Sequence, residues 1–203
     1  NEISDLVTGE SLTVNGDPTW QSEGMHFDET GDALVLPDVT LNSAFTLLTH
    51  PNFEDNDGTS FQYFMSFGSA FGADSMNWYL SEVSEASPDA DAIRIIDAGA
   101  TANHKIADYW PDSNNLPLAV TIEGTTKQHY LDGEPVGTQT GVNAGMSDNT
   151  VKDLYIGGRS DSSAARHFGG IMRYVIIFND KALDPAHIRE LQKNPYQILR
   201  SKL

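Results

Sequence analysis

The sequence contains no cysteine, few basic residues and no long apolar run, and each deficit excludes a class of protein. Without cysteine, the chain forms no disulfides and offers no thiolate to a metal. Twelve Lys and Arg residues stand against 29 Asp and Glu residues, and the formal net charge of −17 argues against a nucleic-acid partner. No stretch approaches the roughly 20 apolar residues that a membrane-spanning helix needs, so we expect no membrane partner.

Motifs of common catalytic sites are also missing. The sequence has no HExxH, GxSxG, GxGxxG or GxxxxGK[ST] segment, and its six histidines are scattered. Glycoside cleavage needs two carboxylates flanking one bond, and the best-spaced pair, Asp89 and Asp91, follows Pro88 in a predicted loop. We therefore predict no catalytic residues and no enzymatic activity, with a glycanase or lyase as the alternative.

The dominant pattern is short runs of β-forming residues separated by Gly, Pro, Asp and Asn clusters. Strands at intervals of roughly 10 to 15 residues, with no helical pattern between them, predict an all-β jelly-roll sandwich of two antiparallel sheets. The alternation in 61–67 predicts that Phe61, Tyr63, Met65 and Phe67 share one apolar face. The predicted strands are 11–15, 19–27, 33–36, 44–49, 60–67, 76–83, 92–97, 117–123, 126–131, 151–157 and 168–178.

A single short helix follows the predicted strands. Asp184 has the side chain of an N-cap, Pro185 suits the first helical position, and Asn194-Pro195 ends the pattern. We predict one jelly-roll domain over 1–203 with its core at about 18–183, a helix over 184–193 and a tail over 194–203. The chain begins at Asn1 rather than Met, so we expect either a processed start or a piece of a longer chain.

Aromatic side chains near predicted loops are the candidate ligand contacts. Trp78 and Tyr79 are adjacent in a predicted strand, so they face opposite sides, and we expect one in the core and the other exposed. Tyr109 and Trp110 precede a Pro-Asp loop. Sugar sites combine an aromatic platform with polar groups, so we predict glycan contacts at Tyr79, Tyr109 and Trp110. The alternative is that these rings are packing residues.

Two acidic loops offer the hard oxygen ligands that calcium prefers. Asp55 and Asp57 lie in the segment Glu54-Asp-Asn-Asp-Gly58, and Asp28 and Asp32 bracket Gly31. We predict calcium as the candidate cofactor at these four aspartates. The alternative is that they are turn residues, chosen for their backbone conformations.

The order of short motifs resembles the laminin-G-like, concanavalin A-like jelly rolls. Residues 25–34, with Phe27-Asp28 and Gly31-Asp32, are similar to the family's opening "FDG…GDY", and 130–136 to its "YvDG" hairpin. Residues 154–158 and 168–183 resemble its closing "iGg…f.G.i" segment. The resemblance implies two packed antiparallel sheets, and it covers about residues 18–194. It does not fix function, because this fold hosts lectins, glycanases, adhesion modules and virion proteins.

The tail carries a further resemblance. Residues 194–199, Asn-Pro-Tyr-Gln-Ile-Leu, are similar to the "NPWQIF" ending of laminin-G-like proteins from tailed bacteriophages. This end is apolar with a basic finish, so it either docks on the sandwich or contacts a neighbouring chain. We favour docking for the aromatic ring, and the candidate partner contacts are Tyr196, Ile198, Leu199 and Arg200.

Three functions follow from these observations. The resemblance of the tail and the lack of catalytic motifs favour a non-enzymatic decoration or fibre component of a tailed-phage virion, with weak glycan binding as an added property. Its partners are then other virion proteins or copies of itself, and its location is the virion. The alternative is a secreted, extracellular carbohydrate-binding module, and the third hypothesis is a glycanase or lyase.

Overall fold

The computed structural model describes residues 9–28, 30–54, 61–68, 74–81, 92–97, 104–106, 116–139, 146–160 and 166–197. Within these ranges the chain forms 14 strands and one helix, as the all-β prediction expects. The strands are β1 (Thr13–Asn15), β2 (Thr19–Gln21), β3 (Gly24–Asp28), β4 (Ala33–Leu41), β5 (Ala44–Phe53), β6 (Phe61–Phe67), β7 (Met76–Ser81), β8 (Ala92–Asp97), β9 (His104–Ile106), β10 (Leu118–Glu123), β11 (Thr126–Leu131), β12 (Glu134–Gln139), β13 (Thr150–Ile156) and β14 (Gly169–Phe178). The helix is α1 (Pro185–Lys193).

The strands pair into two antiparallel sheets, which confirms the predicted jelly-roll sandwich. The first sheet has the order β1-β4-β13-β6-β7-β8-β9, and the second has the order β12-β11-β10-β5-β14-β3-β2. Edge strands β9 and β12 lie against each other on one side. On the opposite side the edges are β1 and β2, which Gly16-Asp17-Pro18 joins.

The core lies between the sheets and is built largely from aromatic side chains. Phe168 is fully buried, and its ring centroid lies 6.1 Å from Phe27, 5.5 Å from Phe53 and 6.1 Å from Phe64. Trp78 is also fully buried and packs edge-on against Phe64. Large rings dominate the apolar area that such a core removes from water, so this cluster fixes the distance between the sheets.

The helix forms where the capping signals place it and covers the outer face of the second sheet. The Asp184 carboxylate accepts a hydrogen bond from the backbone N–H of His187 at 3.0 Å, and Pro185 occupies the first turn. Ile188 and Leu191 are buried against Leu48, Ala119 and Tyr130. The apolar face of a short helix thus closes one side of the sandwich.

The structure divides one predicted strand in two and contains two strands, β9 and β12, that the sequence did not predict. Residues 19–27 form β2 and β3 with a turn between them, because the chain reverses before Gly24 (φ +152°), where a Cβ would meet the Met172 carbonyl oxygen at 2.3 Å. The short β9 carries no alternation to detect. Strand β12 contains Pro135 and Gly137, which discourage a strand prediction but are tolerated at a sheet edge.

The predicted alternation in 61–67 is wrong because β6 contains a β-bulge. Tyr63 pairs with Tyr79, whereas Met65 pairs with Trp78, so Phe64 is an extra residue in the strand. Met65 and Phe67 join the core as expected, but Phe61 and Tyr63 lie on the opposite face of the sheet, in a cluster with Tyr79.

Candidate functional site

The face of the first sheet that points away from the second sheet carries a stack of tyrosines, and we call it the tyrosine face. The rings of Tyr63 and Tyr79 are nearly parallel, 13° apart, with centroids separated by 4.8 Å. The bulge in β6 and the alternation of β7 bring them together, since Trp78 and Leu80 on either side of Tyr79 point into the core. Both tyrosines are buried, so the stack is a rigid base.

Arginine side chains surround this stack. The Arg159 guanidinium lies over the Tyr63 ring, 5.6 Å from its centroid, and its Nη1 donates a hydrogen bond to the Tyr63 hydroxyl at 3.3 Å. Arg94 is the Cα partner of Tyr79 on the next strand, and both arginines are at least nine-tenths buried. Cations held over aromatic rings are attracted to the negative face of the π system.

Phe61 and Arg166 form the half-buried part of the tyrosine face. Phe61 contacts Tyr79 edge-on at 5.8 Å, and the Arg166 guanidinium lies over the Phe61 ring, 5.6 Å from its centroid. Phe61 and Arg166 are each partly exposed. An apolar ring and a guanidinium with five N–H donors are therefore presented side by side on a buried aromatic base.

Three aspartates form a separate cluster at the open edge of the sandwich. Ligand oxygens of Asp17, Asp28 and Asp32 all lie within 4.8 Å of one another. Asp32 is only 2% exposed, and its two carboxylate oxygens accept hydrogen bonds from the backbone N–H of Asp17 at 2.8 Å and of Asp28 at 3.0 Å. Its own carbonyl oxygen accepts a hydrogen bond from His167 Nδ1 at 3.1 Å.

The carboxyls in this cluster differ in acidity because their surroundings differ. Burial raises the pKa of Asp32, and the charges of Asp28 and Asp17 act in the same direction. Hydrogen bonds from the side chain and backbone of Thr30 lower the pKa of Asp28. A hard cation would fit the three carboxylates chemically, and Asp32 in addition ties two loops together through its backbone hydrogen bonds.

The profile of one protein family matches residues 28–189, and its description is "Concanavalin A-like lectin/glucanases superfamily". The chain belongs to this superfamily. No curated protein sequence matches the domain significantly. The resemblance found in the short motifs is thus confirmed, and so is the fold that it implied.

Solved structures show the same concanavalin A-like fold at low sequence identity. Trypanosoma rangeli sialidase in complex with sialic acid has a TM-score of 0.69 at 17% identity, over 94% of this domain and 30% of the sialidase chain. Domain 4 of a Geobacillus stearothermophilus GH43 arabinanase, in complex with arabinotriose, has a TM-score of 0.64 at 14% identity, over 90% of this domain and 88% of that chain. The enzymatically active domain of bacteriophage CBA120 tailspike protein 2 has a TM-score of 0.65 at 15% identity, over 90% of this domain and 30% of the tailspike chain. The domain therefore spans under a third of the sialidase and tailspike chains.

The structure places some of the predicted site residues and leaves others outside the described ranges. Of the adjacent residues Trp78 and Tyr79, one was expected in the core, and Trp78 is there. The expected exposure of Tyr79 is wrong, because its side chain lies beneath its neighbours and is only 5% exposed. The carboxylates of Asp28 and Asp32 lie close together, as the spacing of these residues in the sequence suggests. Seven further candidates lie outside the described residues, namely Tyr109, Trp110, Asp55, Asp57, Ile198, Leu199 and Arg200. Tyr196, one of the predicted partner contacts, is 55% exposed, so much of its side chain is open to solvent rather than docked on the sandwich.

The concanavalin A-like domain also holds site residues that sequence reasoning missed. Asp17 joins the acidic cluster because the chain turns at Gly16, where a Cβ would meet an Asp32 carboxylate oxygen. The arginines of the tyrosine face were missed because Arg159 and Arg166 lie outside the strands, and only the fold brings them to Tyr63 and Phe61. The described residues include no helix long and apolar enough to span a membrane.

Proposed function

We propose that this protein is a non-catalytic carbohydrate-binding module whose ligand contacts the tyrosine face at Phe61 and Arg166. The observation that carries the proposal is the stacked arrangement of these two side chains, both partly exposed, on the buried Tyr63–Tyr79 pair. A pyranose ring has an apolar face that stacks on an aromatic ring and hydroxyls that accept hydrogen bonds from a guanidinium.

The buried layer beneath Phe61 and Arg166 supports this role through rigidity. Because Tyr63, Tyr79 and Arg159 are held by ring stacking and by a hydrogen bond to the Tyr63 hydroxyl, Phe61 rests on a surface that is already ordered. A preorganised surface loses less conformational entropy when a ligand binds. Two of the similar solved structures are complexes with sialic acid and with arabinotriose, which supports a carbohydrate as the ligand class.

Glycan binding is tested with a glycan array followed by calorimetry on the best ligand. We expect saturable binding in the wild type and at least a tenfold weaker affinity for Phe61→Ala. Trp20→Ala is the matched control, because Trp20 is 63% exposed on edge strand β2 of the other sheet, so its loss is expected to leave binding unchanged. A blank array, or equal losses in the two variants, would refute the proposal.

The absence of catalysis is the second part of the proposal. Incubation with each polysaccharide that binds is expected to release no reducing ends and no unsaturated products. Release of reducing ends that increases with protein concentration and time would identify a glycanase instead.

A second candidate, display on a tailed-phage particle, is supported by the tail segment and by the likeness to a phage tailspike domain. Residues 194–197 extend beyond α1 and keep the Tyr196 ring half exposed, where a virion partner or a second copy can reach it. This role predicts a defined oligomer by light scattering, and Tyr196→Ala is expected to dissociate it. A monomer at all concentrations, with no virion protein bound, would count against display, whereas extracellular glycan binding would remain.

A further inference from the structure

We infer that the ligand of the tyrosine face is an anionic sugar, carrying a carboxylate or a sulfate. This inference rests on the proposed carbohydrate-binding function and specifies its ligand class. It is drawn from the placement of arginine on this one face of a strongly acidic protein.

Positive charge is concentrated on the tyrosine face although it is scarce in the chain. Only 12 of 203 residues are Lys or Arg, yet Arg94, Arg159 and Arg166 all belong to this face. One quarter of the basic residues thus falls on one surface of the first sheet.

Negative charge is scarce on the two strands at the centre of this face. The chain contains 29 acidic residues, about one in seven, but among the described residues none occupies an outward position of β6 or β7. The described outward side chains there are Phe61, Tyr63, Ser66, Asn77 and Tyr79. On the neighbouring strand β13 the exposed Asp153 shares the outward face with Tyr155, and its carboxylate accepts a hydrogen bond from the backbone N–H of Asp38 at 3.3 Å. Because the described outward side chains of β6 and β7 other than Phe61 are buried, an anionic group reaches the face at Phe61 and Arg166.

Arginine rather than lysine is the residue that suits this task. Its planar fork binds both oxygens of a carboxylate or sulfate at once, and its flat face packs on an aromatic ring at the same time. Arg166 already lies over Phe61, so its N–H edge is held beside the ring on which a sugar would stack. No carboxylate among the described residues pairs with Arg166. Arg159 is positioned by the Tyr63 hydroxyl and by its ring.

The overall charge of the protein predicts an unusual salt dependence for its association with an anionic glycan. A protein of net charge −17 repels a polyanion at long range, and this repulsion is screened when the Debye length falls from about 30 Å at 0.01 M salt to about 8 Å at 0.15 M. Contacts within a partly buried site are screened less. We therefore expect association with an anionic glycan to become faster as salt rises over this range, which is opposite to the behaviour of a basic surface.

The test compares charged sugars with matched uncharged ones. The carboxylate probes are sialyllactose against lactose and trigalacturonate against its methyl ester, and the sulfate probe is dextran sulfate against dextran. Affinity is measured by calorimetry or surface-immobilised binding for the wild type, Arg166→Gln, Arg166→Lys and Arg159→Gln. The matched control is Arg189→Gln, since Arg189 pairs with Glu134 on the other side of the sandwich.

We expect at least one charged probe to bind at least tenfold more tightly than its uncharged partner, and the pair that does so identifies carboxylate or sulfate as the recognised group. Arg166→Gln is expected to lower that affinity about tenfold or more, Arg166→Lys less, and Arg189→Gln not at all. Equal affinity for charged and uncharged probes, with Arg166→Gln inert, would overturn the anionic ligand and leave carbohydrate binding standing. Loss of binding in Arg189→Gln equal to that in Arg166→Gln would overturn the site, and no binding to any sugar would overturn both.

Discussion

The buried carboxylate of Asp32 gives the sharpest test of how the open edge of the sandwich is held. Its two oxygens accept the backbone N–H groups of Asp17 and Asp28, and these belong to different parts of the chain, the β1–β2 connection and the end of β3. Asp32→Ala removes both acceptors and leaves two partly buried donors without a partner. Each such loss costs about 1–3 kcal/mol, so we expect the free energy of unfolding to fall by about 3 kcal/mol.

For a domain of this size, that loss corresponds to a fall in Tm of roughly 6–12 °C. The measurement is thermal and urea unfolding in the presence of EDTA, so that any cation bound by the three aspartates contributes nothing. Asp28→Ala is the control, because the Asp28 side chain is exposed and accepts hydrogen bonds from the backbone and side chain of Thr30, and its loss is expected to cost about 1 kcal/mol.

Two results would refute this reasoning. One is an Asp32→Ala loss below about 1 kcal/mol in EDTA, which would mean that water replaces the carboxylate as the acceptor for both N–H groups. The other is an equal loss in the two variants, which would mean that burial of Asp32 contributes nothing to the strength of its hydrogen bonds.

Three further predictions concern calcium, glycine and the helix cap. Calcium is expected to raise the wild-type Tm by relieving repulsion among Asp17, Asp28 and Asp32, and Asp17→Asn is expected to remove that rise; an unchanged wild-type Tm would contradict calcium binding. Gly157→Ala is expected to lower the free energy of unfolding in urea by about 2–5 kcal/mol, because φ is +79° and a Cβ would lie 2.4 Å from the Phe27 ring. Gly124→Ala is the control: its φ is +56° but a Cβ there would meet open space, so we expect a loss of about 1 kcal/mol. Hydrogen bonds from His187 lower the pKa of the Asp184 carboxyl that caps the helix. The stabilising effect of this cap is therefore complete above the ordinary pKa of 3.8 and is lost as the pH falls through the lowered pKa. Unfolding curves of the wild type and Asp184→Ala are expected to converge only well below pH 3.8.

The sequence was sufficient for the sandwich and for the helix because both depend on local signals. Turn residues at short intervals mark strand ends, and Asp184-Pro185 marks a helix start, whatever the chain does elsewhere. The sequence was not sufficient for β12, where Pro135 and Gly137 argue locally against a strand that pairing with β11 nevertheless stabilises.

The candidate site was predicted less well because its parts are distant in sequence. Asp28 and Asp32 are four residues apart and were recognised together, but Asp17 joins them only through the pairing of β1 with β4. Arg159 meets Tyr63 across 96 residues. The sequence pointed to Tyr79 as an exposed aromatic platform, yet stacking on Tyr63 buries its ring. That these two tyrosines are partners depends on the register of β6 on β7, which the sequence alone does not show.

The bulge at Phe64 has a consequence for how such a surface persists in evolution. Without a bulge, the same seven residues of β6 would alternate strictly, and Phe61 and Tyr63 would face the core together with Met65 and Phe67. Deleting Phe64 itself has a different effect, because it restores alternation while Phe61 and Tyr63 stay on the outer face and Met65 and Phe67 stay in the core. Relatives that lack this one residue are therefore expected to lose one core ring and to keep both the fold and the aromatic surface.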